Sequence, residues 1–339
     1  MKTKLDKYFR ISQRGSTIGT ELIGGATTFA TMAYILAYMT GAMSAVPGID
    51  LTGVLLCTAL ITAISCIAMG LVANAPIALA PVLVIPNLVA GMVASGEATY
   101  GQAFGTVAIS GIVFLLISVF KLRDLFARSL PKNIKIGIGG AVGLLIASIG
   151  LNTSGLAAAG EDGSFINFSD KSVQLGLIGL AIALLLTYLK ITVNGRTYKI
   201  KGALLISIVL TTIIGIPMGV TVLPENIFTR GALASIGNVA FQVDILGALK
   251  LSFVPFIIML LINDFFGTLG TGLAMAGKAG LLDEDGNFPA FGKVFLVDSS
   301  ATILGSLFGI TTVSCFAESA AGVESGSRTG LSNLSTAFF

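Results

Sequence analysis

Long apolar runs alternate with short polar, basic or Gly/Pro-rich breaks along this chain. An α-helix needs about 20 apolar residues to cross the hydrocarbon core of a bilayer. Runs near that length fall at 18–45, 51–73, 76–95, 102–121, 133–151, 172–190, 202–222, 246–276, 290–309 and 311–336. They predict an all-α polytopic membrane protein with about ten transmembrane segments. Two of the segments are interrupted. The third holds Pro81 and Pro86; the tenth opens on Thr311-Thr312-Val313, which favours extended backbone. The tenth then passes into Ser319-Ala320-Ala321-Gly322, small enough for close helix packing. Extended stretches are therefore expected near 82–86 and 312–317, side by side near mid-membrane and each followed by a half-helix. Such backbone survives at that depth only where protein buries it or where it lines a cavity. The eighth run is long, and Pro255 and the glycines from Gly267 to Gly272 are expected to bend or split it.

Composition strengthens this reading. Of the 339 residues 54% are hydrophobic and 11% charged, where a soluble domain carries about 25% charged residues. Mean hydropathy is +0.93. The basic residues also set an orientation. With the N-terminus in the cytoplasm, 17 of the 20 Lys and Arg fall on the cytoplasmic side; Lys171, Arg230 and Lys250 are the other three. This bias matches the positive-inside pattern and predicts a multi-pass protein of the cell membrane. The basic segment 1–17 contains Phe9 and Ile11, so a short amphipathic piece can lie on the membrane surface.

There is no histidine, so a proton relay or metal ligand would have to come from Asp, Glu or Cys. Cys57, Cys66 and Cys315 have apolar or small neighbours and no CxxC spacing; buried reduced thiols are expected. No HExxH or GxSxG motif is present, and no enzymatic activity, cofactor or metal is expected. The triplets at Asn152 and Asn167 read as chance sequons, and Asp283-Glu284-Asp285-Gly286 as a solvated turn.

Four carboxylates lie within or at the edge of spans: Glu21, Asp264, Asp298 and Glu318. An intramembrane carboxylate is expensive and is a functional candidate by default. Glu21 reads as structural, a helix-end partner for a basic residue. Asp298, flanked by Ser299 and Ser300, reads as a packing or hydrogen-bonding residue. Glu318 sits where the extended and small-residue halves of the tenth segment meet, the kind of broken segment from which transporters build sites.

The stretch Ser314-Cys315-Phe316-Ala317-Glu318-Ser319-Ala320-Ala321-Gly322-Val323, running on to Arg328-Thr329-Gly330-Leu331, resembles the signature of adenine/guanine/hypoxanthine permeases of the nucleobase–ascorbate transporter superfamily. Further matches lie in the same order along the chain. They include Arg14-Gly15-Ser16-Thr17, Glu21-Leu22, Met32-Ala33-Tyr34-Ile35-Leu36, Gly70 to Pro76, Gly267-Thr268-Leu269-Gly270-Thr271 and Val297-Asp298.

The resemblance implies a seven-plus-seven inverted-repeat fold, here truncated after segment 10. Residues 1–17 would form a cytoplasmic segment, 18–121 core segments 1–4, 122–222 gate segments 5–7 and 223–339 core segments 8–10. It implies a proton-coupled secondary transporter that imports purine nucleobases by an elevator-type movement of core against gate. Glu318 and Asp264 would hold the purine, joined by Ser319, Asn87, Thr268 and Phe29; Glu318, Asp264 and Asp298 would carry the coupling proton. The partners are then a purine, protons and the lipid bilayer, without nucleic acid; whether the protein is a homodimer stays open. A carboxylate suits a nucleobase edge because it accepts from ring N–H groups, and Phe29, Phe265, Phe266 or Phe316 could stack on the base.

Three elements depart from the family pattern. Gly267 stands where a second aspartate is usual, Pro81-Val82-Leu83-Val84-Ile85-Pro86-Asn87 replaces a Gly-rich turn, and Met39-Thr40 replaces an Asn-Pro pair. Two other readings stay open: a truncated or divergent, non-transporting homologue, and an anion transporter of the same fold. A fixed carboxylate at Glu318 opposes the latter, since it repels an anion.

Overall fold

Most of the apolar runs fold as helices. The computed structural model describes residues 4–120, 167–193, 196–199, 203–221 and 231–339, with scattered positions between 144 and 156. The fifth expected span, 133–151, and the basic cluster from Lys121 to Lys135 lie largely outside the described residues. Helices run in the order α1 (Lys4–Phe9), α2 (Ile18–Met32), α3 (Tyr34–Met43), α4 (Leu51–Ala68), α5 (Val84–Ala94) and α6 (Tyr100–Val119). They continue with α7 (Lys171–Tyr188), α8 (Ala203–Met218), α9 (Val254–Lys278), α10 (Phe291–Leu307), α11 (Ser319–Glu324) and α12 (Leu331–Phe338). Among the described residues five helical stretches are long and apolar enough to cross a membrane: Ile18–Met43, Leu51–Ala73, Tyr100–Val119, Lys171–Tyr188 and Leu251–Lys278. Polar caps mark several starts. Thr17, Asp50, Thr99 and Asp170 each accept a backbone N–H from the first turn they precede, where helical donors lack partners.

At the centre, β1 (Leu79–Pro81) pairs antiparallel with β4 (Val313–Cys315), Ala80 opposite Ser314. The Val82 N–H donates to the Thr312 carbonyl and the Phe316 N–H to the Ala78 carbonyl, which extends the ladder by one bond at each end. Both strands are fully buried. The extended stretch of the tenth segment thus lies where its β-branched residues place it. In the third segment it lies at 79–81 instead of 82–86. Residues 82–83 bend and α5 begins at Val84, because Pro86 falls in the first turn of a helix, where a missing N–H costs nothing. A second antiparallel pair joins β2 (Lys190–Val193) to β3 (Arg196–Lys199).

Irregular backbone around the crossing is satisfied by side chains from elsewhere. The Cys66 thiol contacts both the N–H and the carbonyl of Leu79, at 3.4 and 3.5 Å. A π-turn at Met69–Ala73 ends on Asn74 in the left-handed region, φ 48°. Asn74 donates to the Phe9 carbonyl and accepts from the Gly330 N–H. Asn333 on α12 donates to the carbonyls of Ala75 and Ile77. Glu21 accepts the N–H groups of Arg328 and Thr329. Its partner is therefore the backbone at Arg328, not the guanidinium, which instead donates to the Val323 and Ser327 carbonyls.

Two other expectations meet the structure. The eighth run is split ahead of Pro255, into a short helix Ile245–Ala248, a 3-10 turn Leu251–Phe253 and α9, which then runs unbroken for 25 residues with Pro255 in its first turn. Its glycines allow close packing instead of bending: a Cβ at Gly272 would sit 2.6 Å from the Phe291 ring. A further break falls in the first segment, where α2 and α3 are separated at Ala33. Cys57, Cys66 and Cys315 are free and buried.

Candidate functional site

Glu318 is the N-cap residue of α11, three positions beyond β4, but its side chain does not cap the helix. It turns toward the α2–α3 junction, where the Tyr34 hydroxyl donates to Glu318 Oε1 at 2.6 Å. Two features of the chain put it there. The β1–β4 crossing fixes the strand before it, and Ser319 locks the turn by accepting the Ala78 N–H at 2.9 Å and donating to the Phe316 carbonyl at 2.6 Å. Small residues let α11 lie on α2: a Cβ at Gly322 would come within 2.1 Å of Thr28 Oγ1. The Ser319→Ala variant is expected to lose about 1–3 kcal/mol of stability, since the Ala78 N–H would be left buried without an acceptor. A lower melting temperature in detergent checks this.

Glu318 faces a cavity of about 820 Å³ between this central body and α7–α8. Its walls include Thr31, Tyr34 and Lys278 on one side and Ser172, Leu175 and Thr211 on the other. Lys278 pairs with Glu324 in the same lining, and no lysine or arginine among the described residues pairs with Glu318. The Tyr34 ring lies 6.3 Å from that of Phe316, which is itself buried. The wall beside Glu318 thus offers one carboxylate acceptor, hydroxyls and an aromatic surface.

Asp264 lies elsewhere. It belongs to a buried polar cluster behind β4, in which the Thr302 hydroxyl donates to Asp264 Oδ2 at 2.8 Å and the Thr268 hydroxyl to Asp298 Oδ2 at 2.5 Å. Thr268 and Ser314 hydroxyls are 2.8 Å apart, and the two carboxyl groups adjoin. Thr302 also bonds the Val313 N–H and carbonyl, so the cluster grips β4 directly. Gly267 faces it: a Cβ there would lie 3.8 Å from Ser314 Oγ, ordinary contact distance.

The remaining candidates divide likewise. Thr268 and Asp298 are in this cluster, and Ser319 is at the crossing. Asn87 is exposed and donates to the Tyr38 hydroxyl, which in turn donates to the Leu83 carbonyl. Phe29 lines a separate apolar cavity of about 370 Å³ with Met32, Leu56 and Phe339. Of the residues named from sequence, the large cavity therefore holds Glu318. Tyr34 and Lys278 were not singled out for it. Tyr34 is visible in the sequence as a polar ring inside a span, but Lys278 reads only as a basic residue at a helix end.

The family model Xan_ur_permease, described as Permease family, matches residues 19–332. Adenine permease AdeP of Escherichia coli K12 is 32% identical over 333 residues, covering 96% of this chain and 71% of that protein. Guanine/hypoxanthine permease PbuO of Bacillus subtilis is 33% identical over 344 residues, with 97% of this chain and 75% of PbuO covered. Among solved structures, the transmembrane domain of the cyanobacterial bicarbonate transporter BicA superposes with a TM-score of 0.55 at 20% identity, over 94% of this chain and 79% of that one. At that identity the likeness shows the fold alone. With the family match spanning most of the sequence, the chain belongs to the permease family as a multi-pass membrane protein.

Proposed function

We propose that the chain is a proton-coupled transporter that imports purine nucleobases, adenine, guanine or hypoxanthine, across the cell membrane with its N-terminus in the cytoplasm. The observation that carries this reading is the cavity at Glu318, in a chain whose relatives include adenine and guanine/hypoxanthine permeases. A carboxylate with no basic partner among the described residues accepts the N–H donors on a nucleobase edge, and the adjoining aromatic wall offers a stacking face. The cavity is large enough for a bicyclic base, and small-ligand pockets run from about 300 to 1,000 Å³.

Proton coupling is assigned to Glu318 together with Asp264 and Asp298. Two adjoining carboxyl groups with no basic side chain beside them among the described residues can hold a proton between them and exchange it as a pair. Their cluster grips β4, and β4 leads directly to Glu318, so a change of charge there bears on the site. The elevator-type step is a shift of the body built on the β1–β4 crossing against α7–α8. In support, each strand follows a longer helix, α4 or α10, and leads into a shorter one, α5 or α11. The two strands meet antiparallel, as two inverted repeats would.

Uptake of radiolabelled adenine, guanine, hypoxanthine, xanthine and uracil by cells that express the chain tests the reading. At least one purine is expected to accumulate, with accumulation lost when a protonophore collapses the gradient. Equal uptake by expressing and control cells for every purine would overturn it.

A further inference from the structure

We propose that Tyr34 is a positioning and specificity residue of the Glu318 site, holding one carboxylate oxygen so that the ligand's N–H meets the other. This inference rests on the purine reading of the cavity. Tyr34 begins α3, immediately after the break at Ala33, and its hydroxyl donates to Glu318 Oε1 at 2.6 Å across 284 residues of sequence. Among the described residues it is the side chain that donates to this carboxylate. Both residues line the same cavity, so the contact is at the ligand surface and not behind it.

A glutamate side chain in a cavity of this size has several rotamers to choose from, and a charged hydrogen bond of normal length selects one. The consequence is chemical as well as conformational. With Oε1 already accepting from the phenol, Glu318 offers the ligand one wholly free oxygen, Oε2, and a single remaining lone pair on Oε1. A purine edge that presents a single N–H, as hypoxanthine does at N1, is matched. An edge that presents two adjacent N–H groups, as guanine does at N1 and the 2-amino group, would use both oxygens, and its second N–H must share Oε1 with the Tyr34 hydroxyl. The Tyr34 hydroxyl therefore biases the site toward single-donor edges. Its ring, 6.3 Å from Phe316, supplies the wall against which the base lies.

The Tyr34→Phe variant keeps the ring and removes only the donor. The test is calorimetric titration of guanine and hypoxanthine into purified wild type, Tyr34→Phe and Glu318→Gln, with thermal melts to show that each is folded. A hydrogen bond to a charged group is worth about ten- to a hundredfold in affinity. Tyr34→Phe is expected to weaken hypoxanthine binding about tenfold, while guanine, free to take both oxygens, changes less or tightens. The ratio of the two dissociation constants should therefore move about tenfold toward guanine, a change that a merely structural role would not produce. If both bases bind wild type and fail with Glu318→Gln, but Tyr34→Phe matches wild type for both, the Tyr34 inference is overturned while the purine site stands. A parallel loss for both bases, with an unchanged ratio, also overturns the specificity role. If neither base, nor adenine, binds wild type, the purine reading fails and this inference falls with it.

Discussion

Purine binding is expected to fall about ten- to a hundredfold in Glu318→Gln, and its pH dependence to disappear. The substitution preserves volume and leaves an amide oxygen to accept the Tyr34 hydroxyl, so the local fold is retained. It replaces the other oxygen with an NH₂ group, which cannot accept from a purine N–H and opposes it with a second donor. Hydrogen bonds to charged groups contribute about 1.5–3 kcal/mol, which sets the expected loss. The pH dependence goes because a group that could exchange a proton has been replaced by one that cannot. Glu324→Gln is the internal control. It removes a carboxylate from the same cavity, but that carboxylate is half exposed and paired with Lys278, and exposed pairs contribute about 0–1 kcal/mol. Calorimetry at several pH values decides the matter: equal binding by wild type and Glu318→Gln throughout would remove Glu318 from the site.

Asp264→Asn asks a different question of the same assay. Asp264 is buried among Thr302, Ser314 and Asp298, outside the lining of the Glu318 cavity. Its influence on a purine there would pass through β4, so uptake should suffer more than equilibrium binding.

The elements of this fold differ in how well the sequence announces them. Extended backbone at Val313–Cys315 is visible because Thr311, Thr312 and Val313 are β-branched and precede a small-residue helix. Its partner strand, Leu79-Ala80-Pro81, has no such composition; it is extended because β4 offers hydrogen bonds at that register. A sequence window cannot contain that information, so the prolines drew the expectation three residues too far along. The unbroken α9 shows the same limit from the other side. Glycines at 267, 270 and 272 read as hinge signals, but whether a glycine bends a helix or admits a neighbour depends on what lies opposite, here Phe291 and Ser314.

The candidate site divides in a similar way. Glu318 is legible because a carboxylate at a broken membrane segment has few structural explanations. Tyr34 is not, because what matters is its bond to a residue 284 positions away. Asp264 is legible as important but not as to where it acts. Its position on α9 turns it toward α10 and the back of β4, while Glu318 points forward to α3. The family resemblance joins the two carboxylates in one role; the geometry puts β4 between their surroundings.

The Gly330→Ala variant is expected to lose about 3 kcal/mol of stability, the upper end of overpacking costs, and to be recovered poorly from membranes. Gly330 lies in the Arg328-Thr329-Gly330-Leu331 turn, at φ −65°, so its backbone conformation is open to any residue. Proximity is what excludes a side chain. A Cβ at Gly330 would stand 2.1 Å from the Gly70 carbonyl oxygen and under 3 Å from two more Gly70 backbone atoms. No rotamer relieves a clash with backbone, so the turn would have to move. Moving it strains the Gly330 N–H bond to Asn74, the Glu21 bonds to the Arg328 and Thr329 N–H groups, and the Asn333 bonds to Ala75 and Ile77. The Asn74 and Asn333 bonds hold the irregular chain between α4 and β1, so the strain reaches the strand crossing that positions Glu318. Gly41→Ala is the control, since a Cβ there meets nothing within 4 Å and alanine is the better helix former. Melting curves of the two purified variants should separate clearly. If Gly330→Ala melts with the wild type, the turn does not pack on Gly70 as described, and the link from the Arg-Thr-Gly-Leu turn to the crossing is lost with it.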